Sequence, residues 1–260
     1  MKYIFANDQT GAERLLHLHE LFSESTETFL RECGKNNLSL VLDLGCGPGF
    51  TTRTIADILS PQSLIGLDNS KYFIGKAVEF STDYPTISYK EHDITKIPFP
   101  TEKADLIFFR FVLTHMSKCM ESLHNWSNQL KENGLILLEE TESIQTDVPV
   151  FRKYLDIADR ILESNGNRLY IGELLESAQY RPFLEKKISR LSHVPATLSE
   201  AAKIFQYNIP GWRKQKFIQE NYSAGELDEL EKEIHSLIQS TDESIKIEWS
   251  IRQMVLQKAN

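Results

Sequence analysis

The sequence predicts an α/β fold on a doubly wound, mainly parallel sheet, and three observations predict it. From residue 40 onward, short apolar runs alternate with stretches of helical periodicity. That alternation yields parallel strands joined by right-handed helical crossovers. One run, Val41-Leu42-Asp43-Leu44, ends in Gly45-Cys46-Gly47-Pro48-Gly49 and continues as a helical stretch, Thr51–Leu59. Two further runs close on acidic residues, Asp68 and Asp93, at the strand ends where ligands gather in an open α/β sheet.

The elements follow in order. Leu15, Leu18, Leu21, Phe22 and Phe29 stand at broadly helical spacing and predict a helix over Glu13–Glu32, ahead of the sheet. His17 and His19 lie two apart on it and point to nearly opposite sides, so they share no metal and read as surface or partly buried histidines. Strand one is Leu40–Leu44, strand two Ser63–Leu67 with a helix over Tyr72–Phe80, and strand three Ile87–His92. Strand four is Ala104–Phe109, followed by a helix over Met120–Lys131. The Glu132-Asn133-Gly134 turn signal introduces strand five, Gly134–Glu139. Beyond Glu142 the pattern changes to helices over Val150–Ser164 and Ile171–Ser177, then a sixth strand over Leu184–His193. Leu198–Gln239 is a long, mostly helical region rich in charge and aromatics, and Lys246–Gln257 alternates as a seventh strand. Regions 143–182 and 197–243 read as additions to one core.

A length of 260 residues suits one domain with an elaboration, or one and a half domains. The formal charge of -8 sets up no global positive field for nucleic acid or anionic lipid. A local cluster, Arg213-Lys214-Gln215-Lys216, could hold an acidic group but reads first as a solvated helix face. Three cysteines (Cys33, Cys46, Cys119), odd in number and without metal-type spacing, fit a reducing cytosol. The N-terminal residues turn polar too early for a signal peptide, and no apolar run approaches the roughly 18 residues of a membrane span. The expectation is a soluble, cytoplasmic protein with no metal and no membrane partner.

The spacing of the glycines separates cofactors. A dinucleotide fingerprint has glycine at the first, third and sixth positions, but the sixth residue from Gly45 is Phe50, and the third glycine is Gly49, at position five. With Asp43 two residues upstream, the pattern resembles motif I of the class I S-adenosyl-L-methionine (SAM)-dependent methyltransferases, of the small-molecule, type 11/12 kind. Leu64-Ile65-Gly66-Leu67-Asp68 resembles motif II, and Glu91-His92-Asp93-Ile94 the acidic motif after strand three. Ala104-Asp105-Leu106-Ile107 and Arg110-Phe111-Val112-Leu113-Thr114-His115-Met116 resemble motif IV and its following segment. Gln129-Leu130-Lys131-Glu132-Asn133-Gly134-Leu135 is similar to the family's lead-in to strand five, with Glu-Asn where the family has Pro-Gly.

The resemblance covers about residues 38–142 and implies a Rossmann-like, seven-stranded sheet with an antiparallel last strand and helical additions. It implies a helical segment over 1–37 covering the cofactor, a SAM-binding core over 38–142, and a remainder over 143–260 carrying helical substrate-lid insertions. SAM is the implied cofactor and S-adenosyl-L-homocysteine the product. Gly45, Gly47 and Gly49 would approach the methionine and ribose portions through backbone atoms. Asp43 would support the ammonium end through water. Asp68, with Asn69 beside it, would hold the ribose hydroxyls, its place about 20 residues past the glycine turn suiting that role. Asp93 with Ile94 would recognise the adenine edge. Arg110 opens the segment under the methionine part, or is a surface arginine after a strand. Tyr3, Asn7 and Arg14 echo small-molecule members whose leading segment folds over the cofactor, where an arginine fork suits the methionine carboxylate.

The resemblance also implies methyl transfer by direct displacement to a small or medium-sized, partly apolar acceptor. Alignment supplies most of such catalysis, about 7–11 kcal/mol. A general base is needed only where the acceptor must lose a proton. His115, Glu139 and Glu140 are the candidates. His115 reads first as a residue capping or packing the strand-four loop, and of the two adjacent glutamates at most one faces a pocket on a strand. The acceptor pocket would draw on Tyr154, Tyr170, Phe183, Phe205, Tyr207, Trp212, Phe217 and Tyr222, a density that also builds cores. No Asn-Pro-Pro-Tyr or Asp-Pro-Pro-Tyr follows strand four and no Pro-Cys marks a cytosine nucleophile, which disfavours nucleic-acid base and glutamine methylation. A SAM-binding regulatory module without turnover and an RNA methyltransferase using the local basic patch stay as alternatives. A nucleotide-dependent oxidoreductase is disfavoured by Phe50. A homodimer stays open, since the sequence does not set the oligomeric state.

Overall fold

The computed structural model describes residues 8–35 and 37–259. Asp8 starts the first helix, its carboxylate accepting from the Gly11 N–H at 3.1 Å. Helix α1 (Gln9–Cys33) buries Arg14, Phe22, Thr26, Phe29 and Leu30 along one face. The alternating region then gives β1 (Leu40–Leu44), α2 (Phe50–Leu59), β2 (Ser63–Asp68), α3 (Lys71–Phe80), β3 (Ile87–Glu91), β4 (Ala104–Arg110), α4 (Cys119–Ser127) and β5 (Leu130–Thr146). Helices α5 (Pro149–Ser164) and α6 (Gly172–Ser177) precede β6 (Leu184–Ala196). Four helices, α7 (Leu198–Gln206), α8 (Ile209–Trp212), α9 (Lys216–Asn221) and α10 (Ala224–Leu237), lead to β7 (Ile247–Lys258). Helices α7 and α10 start on capping boxes, Thr197 with Glu200 and Ser223 with Glu226.

All seven strands join one sheet in the order β3-β2-β1-β4-β5-β7-β6, with β7 antiparallel to both neighbours. The strand order reverses between β1 and β4, and the crevice at that switch point is where such sheets bind ligands. Both faces are covered. Leu42, Leu44, Ile107, Phe109, Ile136 and Leu138 pack on one side, and Val41, Leu64, Leu106, Phe108, Leu135 and Leu137 on the other, against α1 and α2. A third apolar cluster joins α5, α7 and α10 to Trp249 and Ile251 of β7 and to Phe22 of α1.

Several boundaries depart from expectation. Strand β5 begins before Gly134 and runs seven residues past Glu139, because its second half pairs with β7 from Glu139↔Gln253 to Thr146↔Ile247. Glu139 is therefore in mid-strand rather than at a strand end. The Glu132-Asn133-Gly134 signal forms no turn between elements. It is a bulge inside β5, where the pairing with β4 jumps from Ala104↔Leu130 to Leu106↔Leu135 and Asn133 takes a φ of 59°. Helix α4 accordingly stops at Ser127, four residues short of Lys131. Among the described residues no helix is long and apolar enough to cross a membrane. Cys33, Cys46 and Cys119 are free thiols.

Candidate active site

The glycine turn hangs from the end of β2, with the Gly45 and Cys46 N–H groups both donating to the Leu67 carbonyl at 2.7 and 3.2 Å. Gly45, Gly47 and Gly49 all take positive φ, at 67°, 53° and 84°. At Gly45 an added Cβ would stand 2.7 Å from Val112, so no side chain fits between the turn and the segment after β4. The turn, α1 and that segment enclose a cleft holding about 870 Å³ of space, mouth included. Its walls include Gly45, Gly47, Asp68, Asn69, Arg14, Arg110 and His115.

Asp68 closes β2 with Oδ2 accepting from the Gly47 N–H at 2.9 Å and Oδ1 from the Ser70 N–H at 2.8 Å. The carboxylate also borders the cleft. Burial raises its pKa, and the N–H groups of Ser70, Gly47 and Asn69 oppose that rise. The other sequence-predicted positions separate. Asp43 is 2 % exposed and lies beneath the turn, outside the cleft wall, where Thr52 Oγ1 donates to it at 2.6 Å and burial pushes its carboxyl up to about 7. Gly49 caps the start of α2, also off the cleft wall, and an added Cβ there would meet the Tyr89 hydroxyl at 2.5 Å. Asp93 turns back on its own loop, accepting from the Thr95 N–H at 3.0 Å and hydroxyl at 2.7 Å. Ile94 is buried with its carbonyl accepting from Trp126 Nε1 at 2.9 Å. Neither Asp93 nor Ile94 borders the cleft. Tyr3 and Asn7 lie outside the described residues.

Arg110 is no surface arginine. It borders the cleft, its Nη1 donates to Thr26 Oγ1 at 2.8 Å, and the Thr26 hydroxyl donates to Glu139 Oε2 at 2.6 Å. Gln253 Nε2 takes the other oxygen of Glu139 at 2.7 Å. Burial lowers the pKa of Arg110, and the charges of Glu139 and Asp43 oppose that shift. Glu139 is fully buried, has both oxygens engaged, and lines neither this cleft nor the chamber behind it, a placement away from the base role expected of it. Glu140 points the other way along the strand. Its Oε1 accepts from the Val112 and Leu113 N–H groups at 2.8 and 2.6 Å, and burial pushes its carboxyl up to about 8. It pins a strained corner, since Phe111 between β4 and the Leu113–His115 turn has a φ of 56°.

His115 sits on that corner and borders the cleft. Burial, with the Arg14 charge second, lowers its pKa to about 3, which keeps the imidazole neutral. Behind it opens a second chamber of about 680 Å³, mouth included, shared with the cleft along Arg14, Leu18, Phe111 and His115. The chamber is lined by Phe22, Phe111, Tyr154, Phe205 and Trp249, with Asn208 as a polar exception. Of the eight aromatics expected around an acceptor, Tyr154 and Phe205 line it, and Trp212 packs behind Tyr154 with ring centres 4.6 Å apart. Tyr170 borders a separate open groove, Phe183 packs on His124, Tyr207 stacks on His17, and Phe217 packs on Tyr222. Phe22, Phe111, Trp249 and Asn208 were not foreseen, and neither was His19, which borders the cleft and stacks on Phe50. The two-residue spacing of His17 and His19 held that signal, because it forces one of the pair inward when the other faces out. The basic cluster is largely neutralised, with Arg213 bound to Glu231 at 2.6 Å and Asp228 at 2.9 Å, and Lys216 3.6 Å from Glu220.

A doubly wound sheet with a glycine turn, a strand-end carboxylate and two guanidiniums around one cleft is an arrangement suited to a nucleoside-bearing ligand. Residues 42–138 match the methyltransferase domain family. It is 28 % identical over 110 residues to malonyl-[acyl-carrier protein] O-methyltransferase of Halalkalibacterium halodurans, covering 41 % of each chain. It is 25 % identical over 103 residues to trans-aconitate 2-methyltransferase of Agrobacterium fabrum, covering 40 % of this chain and 39 % of the relative. Several curated relatives are matched over only 38–42 % of their own length. In fold it is similar to the N-methyltransferase NodS of Bradyrhizobium japonicum WM9 in complex with S-adenosyl-L-homocysteine, with 15 % identity and a TM-score of 0.54 over 92 % of this chain and 88 % of that one.

Proposed function

We propose that this protein transfers a methyl group from SAM to a small or medium-sized, partly apolar acceptor held in the aromatic chamber. The observation that carries the reading is the shared wall. A polar, glycine-lined cleft and an apolar chamber meet along Arg14, Leu18, Phe111 and His115, so ligands in the two would touch there.

The residues of the cleft fit SAM. Toward Gly47 an added Cβ would crowd Leu15 at 3.3 Å, so a bare backbone lets a ligand lie close to the turn. Asp68 offers two acceptors for vicinal hydroxyls, and the Arg14 and Arg110 guanidiniums suit a carboxylate. When bound, SAM supplies a methyl group already activated on a sulfonium. The chain then has to align and exclude water. Alignment falls to the Phe111 corner, pinned by Glu140, and to α1, which closes over the cleft with Arg14, Leu15, Leu18 and His19. His115, with its pKa lowered to about 3, is too weak to carry a proton away at neutral pH and serves as a neutral hydrogen-bonding partner that orients the acceptor. A cytoplasmic enzyme without a nucleic-acid partner is part of this reading, supported by its free thiols and acidic balance.

The test is calorimetric titration of the purified protein with SAM, S-adenosyl-L-homocysteine and NADH in parallel. Binding of both sulfur ligands and not NADH is expected. Binding of NADH alone, or of none of the three, would overturn the assignment.

A further inference from the structure

Asn208 precedes α8, is 6 % exposed, and borders the aromatic chamber. Its Nδ2 donates to the Tyr154 hydroxyl. Its Oδ1 is buried and has no hydrogen-bond partner. Leaving such an acceptor unmade costs about 1–3 kcal/mol, and nothing around it is loosely built. Tyr154 is 3 % exposed, lies face to face with Phe205 at 4.0 Å between ring centres, and is backed by Trp212. The Trp212 Nε1 is also unpartnered, but Trp212 does not border the chamber and cannot meet a ligand there. Burial raises the Tyr154 phenol well above its ordinary pKa, so it keeps its proton while accepting from Asn208. The chamber wall therefore contains a buried, unpartnered amide oxygen beside a phenol, set in an apolar enclosure.

The charges nearby narrow the ligand. Among the described residues no carboxylate lines the chamber, whereas Arg14 does, and its charge reaches Tyr154. A cationic amine entering there would lose its hydration without gaining a counter-charge. A neutral hydroxyl carries no such cost and supplies the missing donor.

Resting on the methyltransferase reading of the chamber, we propose that Asn208, held by Tyr154, is a specificity-determining residue that selects a neutral aromatic or alicyclic acceptor carrying a hydroxyl which donates to Asn208 Oδ1. The probes are 2-naphthol and 2-methoxynaphthalene, of similar shape but with and without the donor. Each is titrated by calorimetry into the wild-type protein with saturating S-adenosyl-L-homocysteine, and into Asn208→Leu and Tyr154→Phe. Wild type should bind the naphthol about tenfold more tightly than the ether, the scale of one hydrogen bond to a buried acceptor. Asn208→Leu should bring the ratio to about one, by weakening the naphthol and sparing the ether. Tyr154→Phe, which unpins the amide and is read alone where Asn208→Leu does not fold, should narrow the ratio at least about threefold. A ratio unchanged in the folded variants, a wild-type preference for the ether, or no binding of either probe overturns the proposal. S-adenosyl-L-homocysteine affinity, measured in the same samples, separates the two failures. Its absence in wild type sinks the methyltransferase reading, while its presence with an unmoved ratio sinks only the role of Asn208.

Discussion

Asp68 and Glu140 show how two carboxylates of one sheet come to do different work. Asp68 stands at a strand end, its oxygens tied to the turn but still facing the cleft. Asp68→Ala should weaken S-adenosyl-L-homocysteine binding about 10–100-fold, as hydrogen bonds to a charged group are worth about 1.5–3 kcal/mol. Undiminished affinity in calorimetry would remove Asp68 from the ribose role. Glu140 is sealed under the Phe111 corner, with its pKa moved from 4.5 to about 8. A carboxyl raised on folding binds its proton more tightly in the native state, so its contribution is complete below about 4.5 and is lost as pH climbs through about 8. Glu140→Gln copies the protonated form and should flatten the stability profile in that window by up to about 1.4 kcal/mol per pH unit. Urea unfolding at pH 5, 6.5 and 8 measures it, and parallel profiles for variant and wild type would contradict the assignment.

At the scale of elements, the chain Arg110–Thr26–Glu139–Gln253 ties α1 to β4, β5 and β7 through buried polar groups. Glu139→Ala strands the guanidinium and should destabilise the fold by about 3–5 kcal/mol, whereas Glu139→Gln should cost less. Denaturant midpoints for the pair decide it, and equal losses would mean that packing rather than charge matters at this position. Phe22 is the apolar counterpart. It is fully buried, with its ring 5.0 Å from Phe111 and 6.1 Å from Trp249, and Phe22→Ala should cost about 3–5 kcal/mol on the same assay. Such cross-chain ties explain what could be read beforehand. The seven strands and the glycine turn were legible because periodicity and positive φ are local properties. The mid-strand place of Glu139 was not, since it depends on β7, more than a hundred residues away. Arg110 likewise gave no local sign of burial, because its partners come from α1 and β5. The chamber aromatics were half legible, because helical spacing marks Phe205 and Tyr154 as inward without showing that Phe22 and Trp249 arrive from opposite ends of the chain to meet them.

For the molecule as a whole, cofactor binding and stability are linked by mass action. S-adenosyl-L-homocysteine at a hundred times its Kd should add about 2.7 kcal/mol, a rise in Tm of roughly 5–11 °C for a chain of this size. A melting curve unmoved at that concentration would mean that binding does not favour the folded state. The net charge of -8 and the paired state of Arg213 predict no retention on RNA that falls steeply with salt, and filter binding across a salt series would expose any such affinity. The two cavities meet at four residues, and much of the chamber comes from positions beyond the family-matched 42–138, among them Tyr154, Phe205, Asn208 and Trp249. On the proposed function, donor and acceptor would be read by different stretches of chain joined at a narrow seam. A catalyst divided in this way could be re-aimed at a new substrate by changes after residue 143, while the glycine turn and the seam would keep the methyl donor in register.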